Sequence, residues 1–258
     1  MELLRESSES RESIASGAGK QRFVTALART ETEVIEAQRL RYRVFAEEMG
    51  ASMPHAESGL DCDEFDPFCE HLLVRDSSSG RVVGTYRILT AQNATHTGGF
   101  YSGREFLLDN IAALAPTTVE IGRACVDAEF RTGAGIASLW AGLAAHILAR
   151  RYEYVIGCGS VHLSDGGRLA ASIYDRVKRE SLAPACWRVF PRCPFPLDAA
   201  EIDPNPILPA LLKGYLRLGA YVCGEPAWDT AFKTADMLIM LPMERMNRRY
   251  LNRFQRAA

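Results

Sequence analysis

One stretch limits the possible architectures more than any other. Thr117 to Val126 reads as a strand, Asp127 to Gly133 as a short link, and Ala134 to about Arg151 as a helix. Ile136, Leu139, Trp140, Leu143 and Ile147 give that helix a broad apolar face. Glu153 to Cys158 is the next strand. A helix so apolar must lie against a sheet, so the chain is α/β.

The rest of the chain fits that frame. Phe23 to Ala28 alternates as a first strand, and Thr30 with Glu33 forms a capping box ahead of a helix that Gly50 ends. His71 to Arg75 and Arg81 to Leu89 form a hairpin across Asp76-Ser-Ser-Ser-Gly80. Residues 91–103 are polar and glycine-rich and read as a loop. A second long helix spans Arg168 to Glu180, and prolines 184, 191, 194 and 196 mark an irregular crossing. Ile207 to Leu218 is a helix closed by Gly219, Tyr221 to Cys223 and Phe232 to Leu241 are late strands, and Glu244 to Phe254 is a terminal helix. With no repeat or linker, residues 21–258 form a single domain, a mostly antiparallel twisted sheet flanked by helices. Residues 1–20, rich in Ser, Glu and Arg, read as a disordered lead-in rather than a signal peptide.

Composition excludes several classes. A net charge of −2, with no interleaving of basic and aromatic residues, points away from nucleic acid. No apolar run approaches the roughly 20 residues that a bilayer requires. The seven cysteines are odd in number and lack C-x-x-C spacing, which reads as free thiols in a reducing cytoplasm with no metal site.

Five groups of residues can carry chemistry. In Val119-Glu-Ile-Gly-Arg-Ala-Cys-Val126, strand alternation should point Glu120 and Arg123 to opposite faces. Gly122 between them marks a candidate bulge, which would bring both to one side and free a backbone N–H. A carboxylate beside a free N–H suits acyl transfer; a plain Glu–Arg pair is the alternative. Asp61, Asp63, Glu64 and Asp66 form a cation-binding cluster or a solvated acidic loop. Phe130-Arg-Thr-Gly-Ala-Gly-Ile136 is either an anion site at a helix start or a tight turn. Arg39, Arg41 and Arg43 suit carboxylate or phosphate partners, or are surface charges. The last helix, basic on one side and apolar on the other, rests on an anionic membrane surface or packs on the domain.

In order along the chain, Arg41 to Phe45, Asp61-x-Asp63-x-x-Asp66, Gly84-Thr-Tyr-Arg87 and Glu120-x-x-Arg123 resemble the acyl-homoserine-lactone synthase group of the GNAT superfamily. The resemblance is closer still to the ornithine N-acyltransferases of ornithine-lipid synthesis, some of them labelled hemolysin-like. Ala37 to Phe45, Phe65-Asp-Pro-Phe68, His71 to Val74, Gly99-Phe-Tyr-Ser102, Phe130 to Ala134 and Leu212 to Ala220 carry it over residues 22–254.

That resemblance implies a GNAT fold and transfer of a (3-hydroxy)acyl group from acyl carrier protein to the α-amine of ornithine, giving lyso-ornithine lipid. It makes Glu120 the base, with Arg123 beside it, and puts Asp61, Asp63, Asp66, Arg87 and Arg41 at the substrate end. Arg131, Thr132, Gly133 and Gly135 would hold the acyl-phosphopantetheine. Arg131 stands only two positions before Gly133, so the coenzyme A loop pattern Q/R-x-x-G-x-G/A does not register, which fits a carrier-protein donor. An acyl-homoserine-lactone or other N-acyl-amino-acid synthase is the rival enzyme, and a non-enzymatic membrane-associated protein the rival from another class.

Overall fold

A computed structural model describes residues 22–53, 56–131, 133–197 and 201–246. Strand β1 (Phe23–Leu27) leads into α1 (Glu31–Tyr42). The Thr30 hydroxyl caps it by accepting the Glu33 N–H at 3.3 Å, while the Glu33 carboxylate accepts the Arg29 N–H at 2.7 Å. The helix then widens into a π-helical turn, Arg43–Glu48, before Gly50 takes the positive φ of 71° that ends it.

The hairpin follows as β2 (Glu70–Asp76) and β3 (Val82–Thr90). Asp76 organises the turn, its carboxylate accepting from Ser78 and Ser79. The segment expected to be loop is instead built of helical turns: α2 (Ala91–Ala94) and 3-10 turns at Thr95–Thr97 and Tyr101–Arg104, followed by a two-residue strand β4 (Phe106–Leu107). Thr90 caps α2 through the Asn93 N–H, a short-range signal that the glycines had obscured.

Next come β5 (Thr118–Val126), α3 (Gly133–Arg150), β6 (Tyr154–His162) and α4 (Arg168–Glu180). The irregular crossing holds β7 (Phe190–Pro191), which pairs with β4. The chain closes with α5 (Ala210–Leu218), β8 (Tyr221–Val222), β9 (Ala227–Asp229) and β10 (Thr234–Pro242). Of the expected terminal helix, Glu244 and Arg245 fall in a 3-10 turn (Met243–Arg245) and residues beyond 246 lie outside those described, as do residues 1–21.

The main sheet runs β1-β2-β3-β5-β6-β10-β8, with β9 also on β10. Only the β5–β6 pair among its named strands is parallel. Helices α3, α4 and α5 pack on one face, where Leu143, Ile173 and Leu212 meet Tyr86, Ile121 and Ile239. The other face carries α1, through Ala37, Leu40 and Val44 against Leu73 and Cys125. Farther along that face the 100–117 segment packs on Ile156, Leu238 and Met240.

The parallel pair is what opens the molecule. β5 and β6 are in register only at Thr118–Glu120 against Tyr154–Ile156, whereas β6 pairs with β10 along its whole length. At the point of parting, Gly157 lies so close to Ile121 that a Cβ would sit 2.3 Å from its carbonyl oxygen. Beyond it the two strands splay and leave a cleft.

Candidate active site

The strand that borders the cleft is irregular where the chemistry is concentrated. β3 and β5 pair at Arg87↔Gly122 and again at Thr85↔Cys125, so one β3 residue, Tyr86, faces two on β5, Arg123 and Ala124. Arg123 takes φ 48°, a left-handed conformation that an arginine adopts only under constraint. The bulge thus sits on Arg123 itself, one residue after the glycine that signals it. It shifts the alternation by one, so Glu120 and Arg123 face the same side of the sheet. Neither Arg123 nor Ala124 has a register partner on β3 or β6.

Glu120 is 95% removed from solvent, at 5% exposure. Its two carboxylate oxygens accept the backbone N–H groups of Tyr101 and Ser102 at 2.5 and 2.8 Å. Burial pushes its carboxyl above the ordinary range, and those N–H bonds pull in the opposite direction. The 3-10 turn at Tyr101–Arg104 is thereby tied to β5.

Asp61, Asp63 and Asp66 are held in a lattice of arginines. Arg41, at 0% exposure, pairs with Asp61 at 2.9 Å and Asp66 at 2.7 Å and stands 3.4 Å from His71 Nδ1. Arg87 donates to Asp63 at 2.7 Å, and Arg123 lies 3.2 Å from Asp61 and 3.4 Å from Asp63. Burial raises the Asp63 carboxyl, but Arg87 and then Arg123 outweigh it and hold it below its usual value. The Arg123 and Arg87 guanidinium groups also lie 4.9 and 5.1 Å from the Tyr101 ring centroid, and Arg123 lies 4.4 Å from that of Phe232.

A cavity of about 540 Å³ fills the cleft, a size suited to a small-molecule site. Arg87, Arg123, Glu120 and Arg131 line it, as do Val44 and Phe45 of the π-helical turn. Its other wall is apolar, with Ile136, Leu139, Leu211, Leu212 and Tyr215. Asp61, Asp63, Asp66 and Arg41 are not on its surface. Of these four, expected at the substrate end, the three aspartates stand behind Arg87 and Arg123 and pair with them, while Arg41 pairs with Asp61 and Asp66, because a buried guanidinium or carboxylate must be paired.

The turn before α3 is occupied as well. Arg131 bonds the Val126 carbonyl and reaches Glu48 at 2.5 Å. Gly135 has a backbone reason to be glycine, since a Cβ there would lie 2.3 Å from the Phe130 carbonyl oxygen. Gly133 opens the helix, and Thr132 lies outside the described residues. Sequence reasoning missed Tyr101 and three acids on the cavity wall, Glu105, Asp229 and Asp236. Asp236 carried a readable signal, as the one charged residue of a strand whose nine residues are all buried.

The acetyltransferase (GNAT) domain family matches residues 40–141. Among solved structures, FeeM, an N-acyl amino acid synthase from uncultured soil microbes, superposes with a TM-score of 0.52 at 12% identity, covering 88% of this chain and 94% of that one. The coenzyme-A-dependent acyl-homoserine lactone synthase BjaI gives 0.50 at 17% identity, covering 88% and 82%. Fold and family match define an acyltransferase of the GNAT type. L-ornithine N(alpha)-acyltransferase of Rhizobium meliloti is 39% identical over 88% of this chain and 82% of its own length. That of Rhodobacter capsulatus is 35% identical over 87% and 91%. The chain belongs to the L-ornithine N(alpha)-acyltransferase family. No helix among the described residues is long and apolar enough to cross a membrane.

Proposed function

We propose that this protein transfers a (3-hydroxy)acyl group from the phosphopantetheine thioester of acyl carrier protein to the α-amine of L-ornithine, giving lyso-ornithine lipid. The observation that carries the reading is the cleft between β5 and β6, with Glu120 and the Arg123 bulge at its mouth and an apolar wall beyond. The neutral amine attacks the thioester carbonyl carbon, and Glu120 takes the amine proton through a water molecule. Charge grows on the carbonyl oxygen, where the unladdered N–H groups of the bulge are its donors. The tetrahedral intermediate collapses to an amide, and the thiolate leaves and is protonated to the free pantetheine thiol. Arg87 and Arg123, fixed from behind by Asp61, Asp63 and Asp66, hold the amino-acid carboxylate. Arg131 and the amides of 133–135 take the phosphate of the donor arm.

Glu120→Gln is the test of the base. General-base catalysis contributes about 100- to 10,000-fold, so turnover should fall by that factor at neutral pH and recover partly at higher pH, where more amine is already neutral. Unchanged turnover in the folded fraction would remove Glu120 from the chemistry. The donor is tested separately. Carrier proteins are acidic, so the rate with acyl carrier protein should fall as salt rises. Equal kcat/KM with the coenzyme A thioester would sink the carrier-protein assignment.

A further inference from the structure

Besides Glu120, three carboxylates line the cavity without an arginine: Glu105 after the Tyr101–Arg104 turn, Asp229 at the end of β9, and Asp236 in β10. Asp236 is opposite Ser160 in the β6–β10 ladder, and Asp229 is opposite Thr234. By alternation, Cys158, Ser160, Thr234 and Asp236 share one sheet face, the face that also carries Glu120. Ligand atoms of Glu105, Cys158 and Asp236 all lie within 4.8 Å of one another. They gather two residues along β6 from Ile156, the register partner of Glu120, or about 7 Å farther into the cleft.

Among the described residues none of the three carboxylates has an ion pair, in contrast to the arginine-bound aspartates at 61, 63 and 66. Glu105 accepts from the Cys158 thiol, and Asp229 Oδ1 accepts the Ala231 and Phe232 N–H groups, which leaves Asp229 its second oxygen. Asp236 is only 5% exposed; Ser160, Thr234 and the Glu105 carboxyl neighbour its carboxylate, yet no hydrogen bond of normal geometry reaches its Oδ1. A buried carboxylate oxygen without a well-formed hydrogen bond is costly, and among the described residues no cation stands beside it. Burial, and then Asp236 and Asp229, push the Glu105 carboxyl well up; burial above all brings Asp236 up to about 6. A cation placed between these carboxylates would relieve that burial and mutual repulsion.

We infer that Glu105, Asp229 and Asp236 form the subsite that binds the side-chain ammonium of the amino-acid acceptor and so select a cationic amino acid over a neutral one. The inference rests on the amino-acid N-acyltransferase reading above. A primary ammonium has three N–H donors to share among these oxygens. Zinc is the rival occupant of the Glu105, Cys158 and Asp236 atoms, and the experiment below separates it from an ammonium group. With the α-amine at Glu120, the subsite lies deeper in the same cleft and leaves the apolar wall for the acyl chain.

The experiment compares ornithine with norvaline, which has the same carbon skeleton without the terminal amine. The donor is a long-chain 3-hydroxyacyl thioester of acyl carrier protein. Asp236→Asn and Glu105→Gln should each lower the ornithine-to-norvaline ratio of kcat/KM at least tenfold, chiefly through KM for ornithine. Folded variants that keep the wild-type ratio overturn the subsite. A readout free of variants guards against misfolding: ornithine should raise the melting temperature of the wild-type protein and norvaline should not. Equal shifts, or a shift with zinc alone and none with ornithine, also overturn it. A wild-type protein that acylates no amino acid from any thioester sinks the functional reading itself. One that acylates ornithine while the variants keep their selectivity sinks only the subsite.

Discussion

Arg41 shows how far a residue's type can mislead about its role. An arginine in a helix beside an acidic loop invites assignment to substrate, yet its guanidinium is fully buried among Asp61, Asp66 and His71. Removing one partner of a buried ion group strands the others, so Arg41→Ala should cost about 3 to 5 kcal/mol, read by chemical denaturation. A loss below about 1 kcal/mol would mean that water or a rearranged side chain satisfies the aspartates. The same reasoning applies to Glu120→Gln. A shape-preserving change looks neutral for stability, but both oxygens of Glu120 accept backbone N–H groups. An amide offers one acceptor and turns an N–H₂ toward the other donor, so a destabilisation of about 1 to 3 kcal/mol should accompany the lost turnover.

At the scale of elements, what was legible followed from local rules. α4 falls on its expected residues, and the Thr30 cap and the Asp76–Gly80 turn form as their side-chain chemistry dictates. The bulge was readable from Gly122 against strand alternation, although the strained residue is its neighbour. The 91–103 segment differs from its expectation because one-turn helices have no period to detect, and its Tyr101–Ser102 end is tied down by Glu120, distant in sequence. The cavity acids were invisible for a related reason. Glu105, Asp229 and Asp236 meet only through strand pairing and the packing of the 100–117 segment, which no spacing along the chain encodes. Gly135 tests the element-scale account. Gly135→Ala drives a methyl group against the Phe130 carbonyl, so the start of α3 must shift. Overpacking of this kind costs about 1 to 3 kcal/mol, and carrier-protein affinity should weaken with it, read by a binding titration. A variant as stable as the wild type would show that the turn relaxes freely.

Across the whole molecule the acids divide into two populations, and pH separates them. Asp236, faced by Glu105, Asp229, Cys158, Ser160 and Thr234, has its carboxyl pushed up to about 6, mainly by burial. A raised acid favours folding at low pH, and that contribution is lost as pH climbs from the unfolded value near ~4 through the folded one. His71, faced by Arg41, Asp66 and Arg87, is shifted the other way: burial and then Arg41 hold its pKa below the usual value. Its contribution is present at neutral pH and lost as pH falls below about 6.5. The two slopes oppose each other, with the raised Glu105 and Glu120 adding to that of Asp236, and each variant exposes one slope. Asp236→Asn should melt higher than wild type by at least about 2 °C at pH 8, a gain that shrinks toward pH 5. His71→Asn, whatever its loss at pH 8, should recover part of that loss toward pH 5. Saturating ornithine should erase the Asp236→Asn advantage at pH 8, because the ammonium then supplies wild-type Asp236 with its missing partner. A gap between Asp236→Asn and wild type that stays constant with both pH and ornithine would show that Asp236 is neither strained by its charge nor relieved by the acceptor.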